Sequence, residues 1–391
     1  MTLSIDREYL TNTLADLVGI NSINLSLMPS APGEAEIAAY MAQAMRDLGL
    51  EVALHEAQPS RISTVGILRG HGQGRSLMLN GHTDTVGVEG MANPFAAEIR
   101  NGKMYGRGAY DMKGSLAACL AAVKALVDSG SSLPGDVMVA AVADEEYGSL
   151  GTADVIKRYQ VDGAIVTEPT QMNICLAHKG FTWLEVETTG RAAHGSRFED
   201  GIDAVMRMGR FLAELDQLEQ ELRTRPAHEL LGPPSLHASM IEGGTELSVY
   251  AAQCSLKIER RTIPGESQAQ VVGEVQAMID RLAAADPTFQ ATVKSFFQRD
   301  PFEVSPDAEI VRAVEQAAGQ VVGHRPPHTG ATYWADAALL AAAGVETVMI
   351  GPIGAGLHAV EEWVELQSLV DLAHILAETA RIYCQGGKNH T

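Results

Sequence analysis

Histidines and carboxylates recur where short apolar, β-branched runs end. After residues 77–79 (Leu-Met-Leu) come Gly81, His82, Thr83 and Asp84. After 137–142 come Asp144, Glu145 and Glu146, and after 164–166 come Thr167 and Glu168. After 345–350 a glycine-rich stretch leads to His358, and Asp111 sits in Gly106-Arg107-Gly108-Ala109-Tyr110-Asp111-Met112-Lys113-Gly114, which opens a helix. In α/β sheets ligands gather at the carboxyl ends of strands, so these side chains are expected to converge. Two imidazoles and three carboxylates form a nitrogen and oxygen donor set suited to zinc, or less tightly to cobalt or manganese. Five protein ligands are too many for one tetrahedral ion but suit two ions roughly 3.5–4 Å apart that share a carboxylate. In His-x-Asp the acid can orient the imidazole from behind. Adjacent Glu145 and Glu146 cannot easily hold one ion, which leaves one as a ligand and the other as a general base. Each motif alone is a turn or a solvated loop; their joint placement at strand ends carries the reading.

The elements that must position these residues follow from periodicity. Residues 34–48 and 115–127 have helical spacing, while 77–79, 137–142 and 164–166 are short apolar strands of the kind covered on both faces. Alternating strands and helices predict an α/β domain with a mixed sheet and helices on both faces. From Lys179 the texture changes. Residues 181–189 alternate, 201–223 read as a helix, 236–241 and 251–258 as strands, 268–285 as a helix and 291–297 as a strand. That order, β-α-β-β-α-β, is a split βαβ unit. After Pro301 the first texture returns, with helices over 307–319, 335–343 and 366–383 and a strand over 345–350. The expected division is a catalytic domain from 1–178 and 298–391, with an inserted ferredoxin-like α+β domain over 179–297.

Composition narrows the function classes. The 391 residues carry 29 Lys and Arg against 49 Asp and Glu, a formal net charge of -20. Nucleic-acid binders collect cations, so a phosphate-tracking surface is not expected, and an acidic surface disfavours anionic membranes. No stretch approaches the roughly 20 apolar residues of a membrane span. The N-terminal segment, with Asp6, Arg7 and Glu8, does not read as a signal peptide. Cys119, Cys175, Cys254 and Cys384 form no Cys-x-x-Cys pair, which points to reduced, buried thiols in a cytoplasmic protein. The polar tail 386–391 is expected to fray.

Taken together, the sequence resembles the co-catalytic zinc amidohydrolases and peptidases. That family includes aminoacylase, acetylornithine deacetylase, succinyl-diaminopimelate desuccinylase and the glutamate-releasing carboxypeptidase G type. The resemblance runs from about residue 14 to residue 369. Its motifs are Gly81-His82-Thr83-Asp84-Thr85-Val86, the 106–114 segment, Asp144-Glu145-Glu146-Tyr147-Gly148-Ser149, Thr167-Glu168-Pro169-Thr170, Ala193-His194-Gly195-Ser196, the run from Glu259 to Glu266, and His358 followed by Glu361-Glu362.

The resemblance implies roles residue by residue. His82 and Glu168 would hold one metal, Glu146 and His358 the other, and Asp111 would bridge them. Asp84 would orient His82, and Glu145 would be the general base acting on a water between the ions. The peptide after Asp111 would be cis. In the inserted domain, which would serve as lid and dimerisation domain of a homodimer, His194 would reach across to steady the oxyanion in the partner subunit. Arg261 would grip the substrate carboxylate, with Arg260 as its competitor. The implied activity is a dizinc (or dicobalt or dimanganese) deacylase that opens the amide of a small N-acyl amino acid; the alternative is a carboxypeptidase or dipeptidase acting on small peptides or glutamyl conjugates. A catalytically dead relative is disfavoured because Glu145 and all five ligands are present. Two departures stand out. Ser248 occupies the place of a substrate-holding Asn in many relatives, without the Pro-Asp that follows it. Gly330, a further candidate substrate contact, opens a segment with bulky Tyr333 and Trp334, which either line an acyl pocket or pack at a helix start.

Overall fold

Leu77–His82 and Val137–Val142 each bury all six of their residues, which only a strand covered on both faces can do. In the computed structural model, which describes residues 3–387, these strands lie at the centre of a mixed sheet. The remainder of the expected polar tail, 388–391, lies outside the described residues. The spatial order is Glu51–Gln58, Arg61–Leu68, Val137–Val142, Leu77–His82, Gly163–Val166, Glu346–Met349, Ile174–His178. The four from Val137–Val142 to Glu346–Met349 are mutually parallel, so their carboxyl ends share one rim. Arg61–Leu68 and Glu51–Gln58 extend the sheet antiparallel at one edge.

The helices follow their residues. Lys113–Asp128, rich in Ala and Leu, buries 13 of its 16 residues and packs against Arg7–Gly19 and Leu366–Tyr383. Ala35–Asp47 buries only the stripe Ile37, Ala38, Met41, Ala42 and Met45, set on Arg61–Leu68. Four very short strands form a small antiparallel sheet in the order Gly354–Ala355, Trp363–Glu365, Lys103–Tyr105, Glu98–Arg100. They join the segment bearing His358 to the one leading into Asp111, and at two or three residues each they are too short for periodicity to reveal.

By contacts the chain divides into two compact units. One runs through Leu176 and includes Val304–Thr329 and the chain from Ala335 onward; the other is Ala177–Glu303 with Gly330–Trp334. Gly330–Trp334, expected in the catalytic domain, belongs with the second unit. The Lys179 N–H donates to Ala331 O, Trp334 Nε1 donates to Asp300 O, and the Trp334 ring meets His178 edge-on.

Within the second unit the elements are Gly180–Thr189, Ala204–Thr224, Ser235–Gly243, Gln253–Thr262, Gln268–Ala285 and Gln290–Arg299. The strands are antiparallel in the order third, fourth, first, sixth element, a split βαβ topology. Leu184, Val186, Leu256 and Ile258 pack beneath Met208, Phe211, Val275 and Ile279 of the helices. Asp203 caps the first helix through the Val205 and Met206 amides, and Ser267 with Gln270 forms a capping box on the second. Ser235–Gly243 is an edge strand exposed over most of its length, Met240 and Ile241 included. Among the described residues, no helix is long and apolar enough to cross a membrane.

One close approach positions the rim. A Cβ on Gly351 would run into the Glu168 carbonyl oxygen, so the loop after Glu346–Met349 packs there only as glycine. Gly351→Ala is therefore expected to cost about 1–3 kcal/mol by overpacking. A lowered midpoint of thermal unfolding checks this.

Candidate metal centre

The shared rim gathers the predicted residues of the first unit. His82 ends its strand, Glu145 and Glu146 follow Val137–Val142 after one turn, and Glu168 follows Gly163–Val166. His82 Nε2 lies 3.1 Å from Asp111 Oδ1, 3.7 Å from Glu168 Oε1 and 4.0 Å from Glu145 Oε2. His358 Nε2 lies 3.1 Å from Glu146 Oε2 and 3.4 Å from Asp111 Oδ2. Asp111 thus offers one oxygen to each imidazole. Two sets of donor atoms, His82/Glu145/Glu168 and His82/Asp111/Glu146, each lie within 4.8 Å of one another. The peptide between Asp111 and Met112 is cis, and His358 stands at φ 57, a left-handed conformation uncommon outside glycine.

The donor chemistry fits divalent cations. Glu146 Oε1 is buried with no hydrogen-bond partner, an acceptor left for a cation to satisfy. Burial, then the neighbouring Glu168 charge, pushes the Glu145 carboxyl well above its usual range; burial does the same to Glu168. Burial and Asp111 also raise Glu146. Burial disfavours the His82 cation, yet Glu168, Asp111 and Glu145 outweigh it and hold His82 well above its ordinary value. Hydrogen bonds to Asp111 and Glu146 lift His358 to about 10. Burial opposes ionisation of Asp111, but the two histidines hold its carboxyl well below the usual range.

The sequence reading of Asp84 needs correction. Its carboxylate is 3.7 Å from His82 Nδ1, and the hydrogen bond to Nδ1, at 2.9 Å, is made by the Asp84 main-chain oxygen. The carboxylate instead accepts the N–H groups of Glu145 and Glu146, each at 3.1 Å. The strand turns after His82, which brings the carbonyl rather than the side chain under the ring.

Glu362 escaped the sequence reading, where it was only the second acid after His358. It is buried. Oε1 accepts the N–H groups of Tyr110 (2.9 Å) and Asp111 (3.0 Å), and Oε2 accepts Gly108 N–H (3.2 Å) and the Arg107 guanidinium (2.6 Å). The signal available was the glycine-rich 106–114 loop, whose main-chain donors need an acceptor.

The remaining predicted residues lie in the second unit. His194 is exposed; its Nδ1 accepts the Ser196 N–H at 3.2 Å and lies 2.8 Å from Ser196 Oγ, an arrangement that favours the proton on Nε2. Gly195 N–H donates to Ser248 O at 2.7 Å, so Ser248 lies beside the His194 loop. Arg260 is buried against Glu266 (2.5 Å), whereas Arg261, pointing to the other face, pairs with Glu259 (2.5 Å) and stacks over Phe181. Gly330 is packed against Leu230 and Leu231. Trp334 packs on His178, with the Arg299 guanidinium over its ring.

Comparison with known proteins shows what the whole chain is similar to. The model of peptidase family M20/M25/M40 matches residues 78–382. The acetylornithine deacetylase of Myxococcus xanthus is 28% identical, covering 96% of this chain and 97% of its own. The N-formyl-4-amino-5-aminomethyl-2-methylpyrimidine deformylase of Bacillus subtilis is also 28% identical, over 92% of each chain. The crystal structure of the Bacillus subtilis YXEP protein, a dinuclear metal binding peptidase from the M20 family, is similar with a TM-score of 0.75 at 16% identity, covering 97% of this chain and 98% of that one.

His358, lifted to about 10, and His82, held well above its ordinary value, must each give up a proton before the imidazole can ligate. Cation binding at pH 7 is therefore expected to release on the order of two protons. Calorimetric titration with zinc in buffers of different ionisation enthalpy measures this; an enthalpy independent of buffer would contradict it.

Proposed function

The chain belongs to peptidase family M20/M25/M40, and on that premise we propose that it is a two-metal hydrolase removing a small acyl group from an N-acyl amino acid. The observation that carries this reading is the convergence of His82, Asp111, Glu145, Glu146 and Glu168, buried or nearly so, with the more exposed His358 at one rim. A deacetylase and a deformylase among the relatives both open amides of small acyl groups, which supports deacylation. The peptidase likeness keeps a carboxypeptidase or dipeptidase as the second reading.

His82, Asp111 and Glu168 would hold one ion, and Asp111, Glu146 and His358 the other, with zinc favoured by the mixed imidazole and carboxylate set. Bound ions supply Lewis acidity, which polarises the amide carbonyl and acidifies water. Glu146 lies 3.1 Å from His358 and suits the same ion, which leaves the adjacent Glu145 as the base. Glu145 takes a proton from the attacking water and returns it to the leaving amine. His194 Nε2 donates to the developing oxyanion from a partner subunit. Arg261, on the exposed side of its strand, holds the substrate carboxylate, and Ser248, beside His194, reaches the substrate. Gly330 would contribute only its main chain. The exposed edge strand Ser235–Gly243 suits pairing with a second copy, which would make the second unit a dimerisation domain. None of the four buried cysteines forms a disulfide, which supports a cytoplasmic place.

EDTA should abolish amide hydrolysis, and zinc or cobalt should restore it; activity indifferent to chelation sinks the reading. Glu145→Gln is expected to lower kcat by about 10²–10⁴-fold with metal content unchanged. A panel of N-acetyl amino acids, N-succinyl amino acids and dipeptides decides between the two readings. Mixing inactive Glu145→Gln and His194→Ala chains should regain some activity, and failure of every mixture removes the supply of His194 in trans.

A further inference from the structure

The segment around Asn24 takes no part in the chemistry above, yet it is stitched to the loops that carry it. Asn24 N–H donates to Thr85 O (2.9 Å), Thr85 N–H to Ser22 O (3.1 Å), and Ser22 Oγ to Thr83 O (2.7 Å). The Asn24 side chain is buried and fully used. Nδ2 donates to Asp84 Oδ2 (2.7 Å) and Asp144 Oδ1 (3.1 Å), while Oδ1 accepts Arg61 (2.8 Å) and the Ser26 N–H (2.8 Å). Both donors and both lone pairs are engaged, so its orientation is fixed, since a flip would set the NH2 against a guanidinium. Arg61 in turn is held by Glu34 at 2.5 Å and by Asp144 at 3.2 Å.

This arrangement bears on the turn after Val137–Val142. Glu34, Asp84 and Asp144 are buried carboxylates; the buried Arg61 pairs with Glu34 and Asp144, and Asp84 is reached from it only through Asn24. Asp144 is held at φ 69, a left-handed conformation uncommon for a residue other than glycine. The Asn24 amide lies between Asp84 and Asp144 and donates to both, where two bare carboxylates would repel. Asp84 uses its remaining capacity on the N–H groups of Glu145 and Glu146. Arg61, Asn24, Asp84 and the Glu145-Glu146 main chain thus form one continuous chain of hydrogen bonds.

We infer that Asn24, seated by Arg61, is a positioning residue that sets the pose of the Glu145-Glu146 turn and thereby keeps two adjacent carboxylates in different tasks. The inference rests on the proposed assignment of Glu145 as base and Glu146 as ligand. Its contacts are all to groups behind the cup; none is to a proposed ligand side chain.

The test uses full-length Asn24→Ala, with Asn24→Ser and Arg61→Lys as milder changes should the first fail to fold. In the cobalt-loaded proteins kcat is expected to fall about 10–100-fold, the usual scale for groups supporting metal ligands. KM should stay within about twofold of the wild type, because nothing that grips substrate is touched. The visible cobalt spectrum should shift while two ions remain bound. In the metal-free proteins, hydrogen exchange at the Glu145 and Glu146 amides should quicken at least about tenfold, with helix Ala204–Thr224 unchanged. Arg61→Lys, which keeps the charge, should lie between wild type and Asn24→Ala. Unchanged kcat and spectrum in folded variants overturn the inference, as does a loss confined to KM or accompanied by equal exchange throughout the chain. If the wild type proves not to hydrolyse amides, the functional reading fails while the exchange and spectral readouts still decide the role of Asn24.

Discussion

Negative charge brought out of water is the constraint from which the rest of the structure follows. Asp84, Asp111, Glu145, Glu146 and Glu168 crowd around two imidazoles, and ionised carboxylates so placed are costly without compensating positive charge. The chain answers part of this itself. Main-chain N–H groups satisfy Asp84 and Glu362, and Arg107 and Arg61 each serve carboxylates behind the cup. For the front of the cup the described residues supply histidine as the only cation, with one Glu146 oxygen unpartnered. Two divalent cations would complete that account.

Parallel strands make such crowding possible. Four of them end on one rim, so loops distant in sequence deliver their acids to one place without long excursions. Fully buried strands fix the rim rigidly, and glycine at 351 lets a loop lie directly under Glu168. The net charge of -20 says little about this place, since most acids belong to the solvated exterior.

The rim was legible because strand ends and metal chemistry both leave marks on residue type. His82, Asp111, the Glu145-Glu146 pair, Glu168 and His358 could be picked from the chain by those marks, with the family resemblance alone choosing between the two adjacent glutamates, and the two helices and four strands of the second unit could be picked by their periods. What escaped depends on main-chain geometry. Whether Asp84 meets His82 through its carboxylate or its carbonyl turns on the path of two residues. Nothing in Glu361-Glu362 says which acid is buried, and Asn24 and Arg61 look like ordinary polar residues until the fold surrounds them. Gly330–Trp334 read as part of its flanking sequence, but Trp334 finds its packing partner in His178. Arg260 and Arg261 became separable only when alternation along a paired strand sent one inward to Glu266 and the other outward.

Glu362 and Arg107 have a consequence for how the protein comes to exist. The loop holding Asp111 is anchored by a carboxylate 251 positions later in the chain, and Arg107 also donates to Ala359 O, near His358. The sheet itself takes in Glu346–Met349 beside Gly163–Val166. A nascent chain released only as far as the second unit therefore has His82, Glu146 and Glu168 but lacks the clasp that arranges Asp111. The cup thus cannot be completed by residues 1–303 alone: it draws on Glu346–Met349 for its sheet and on Glu362 for the loop that holds Asp111.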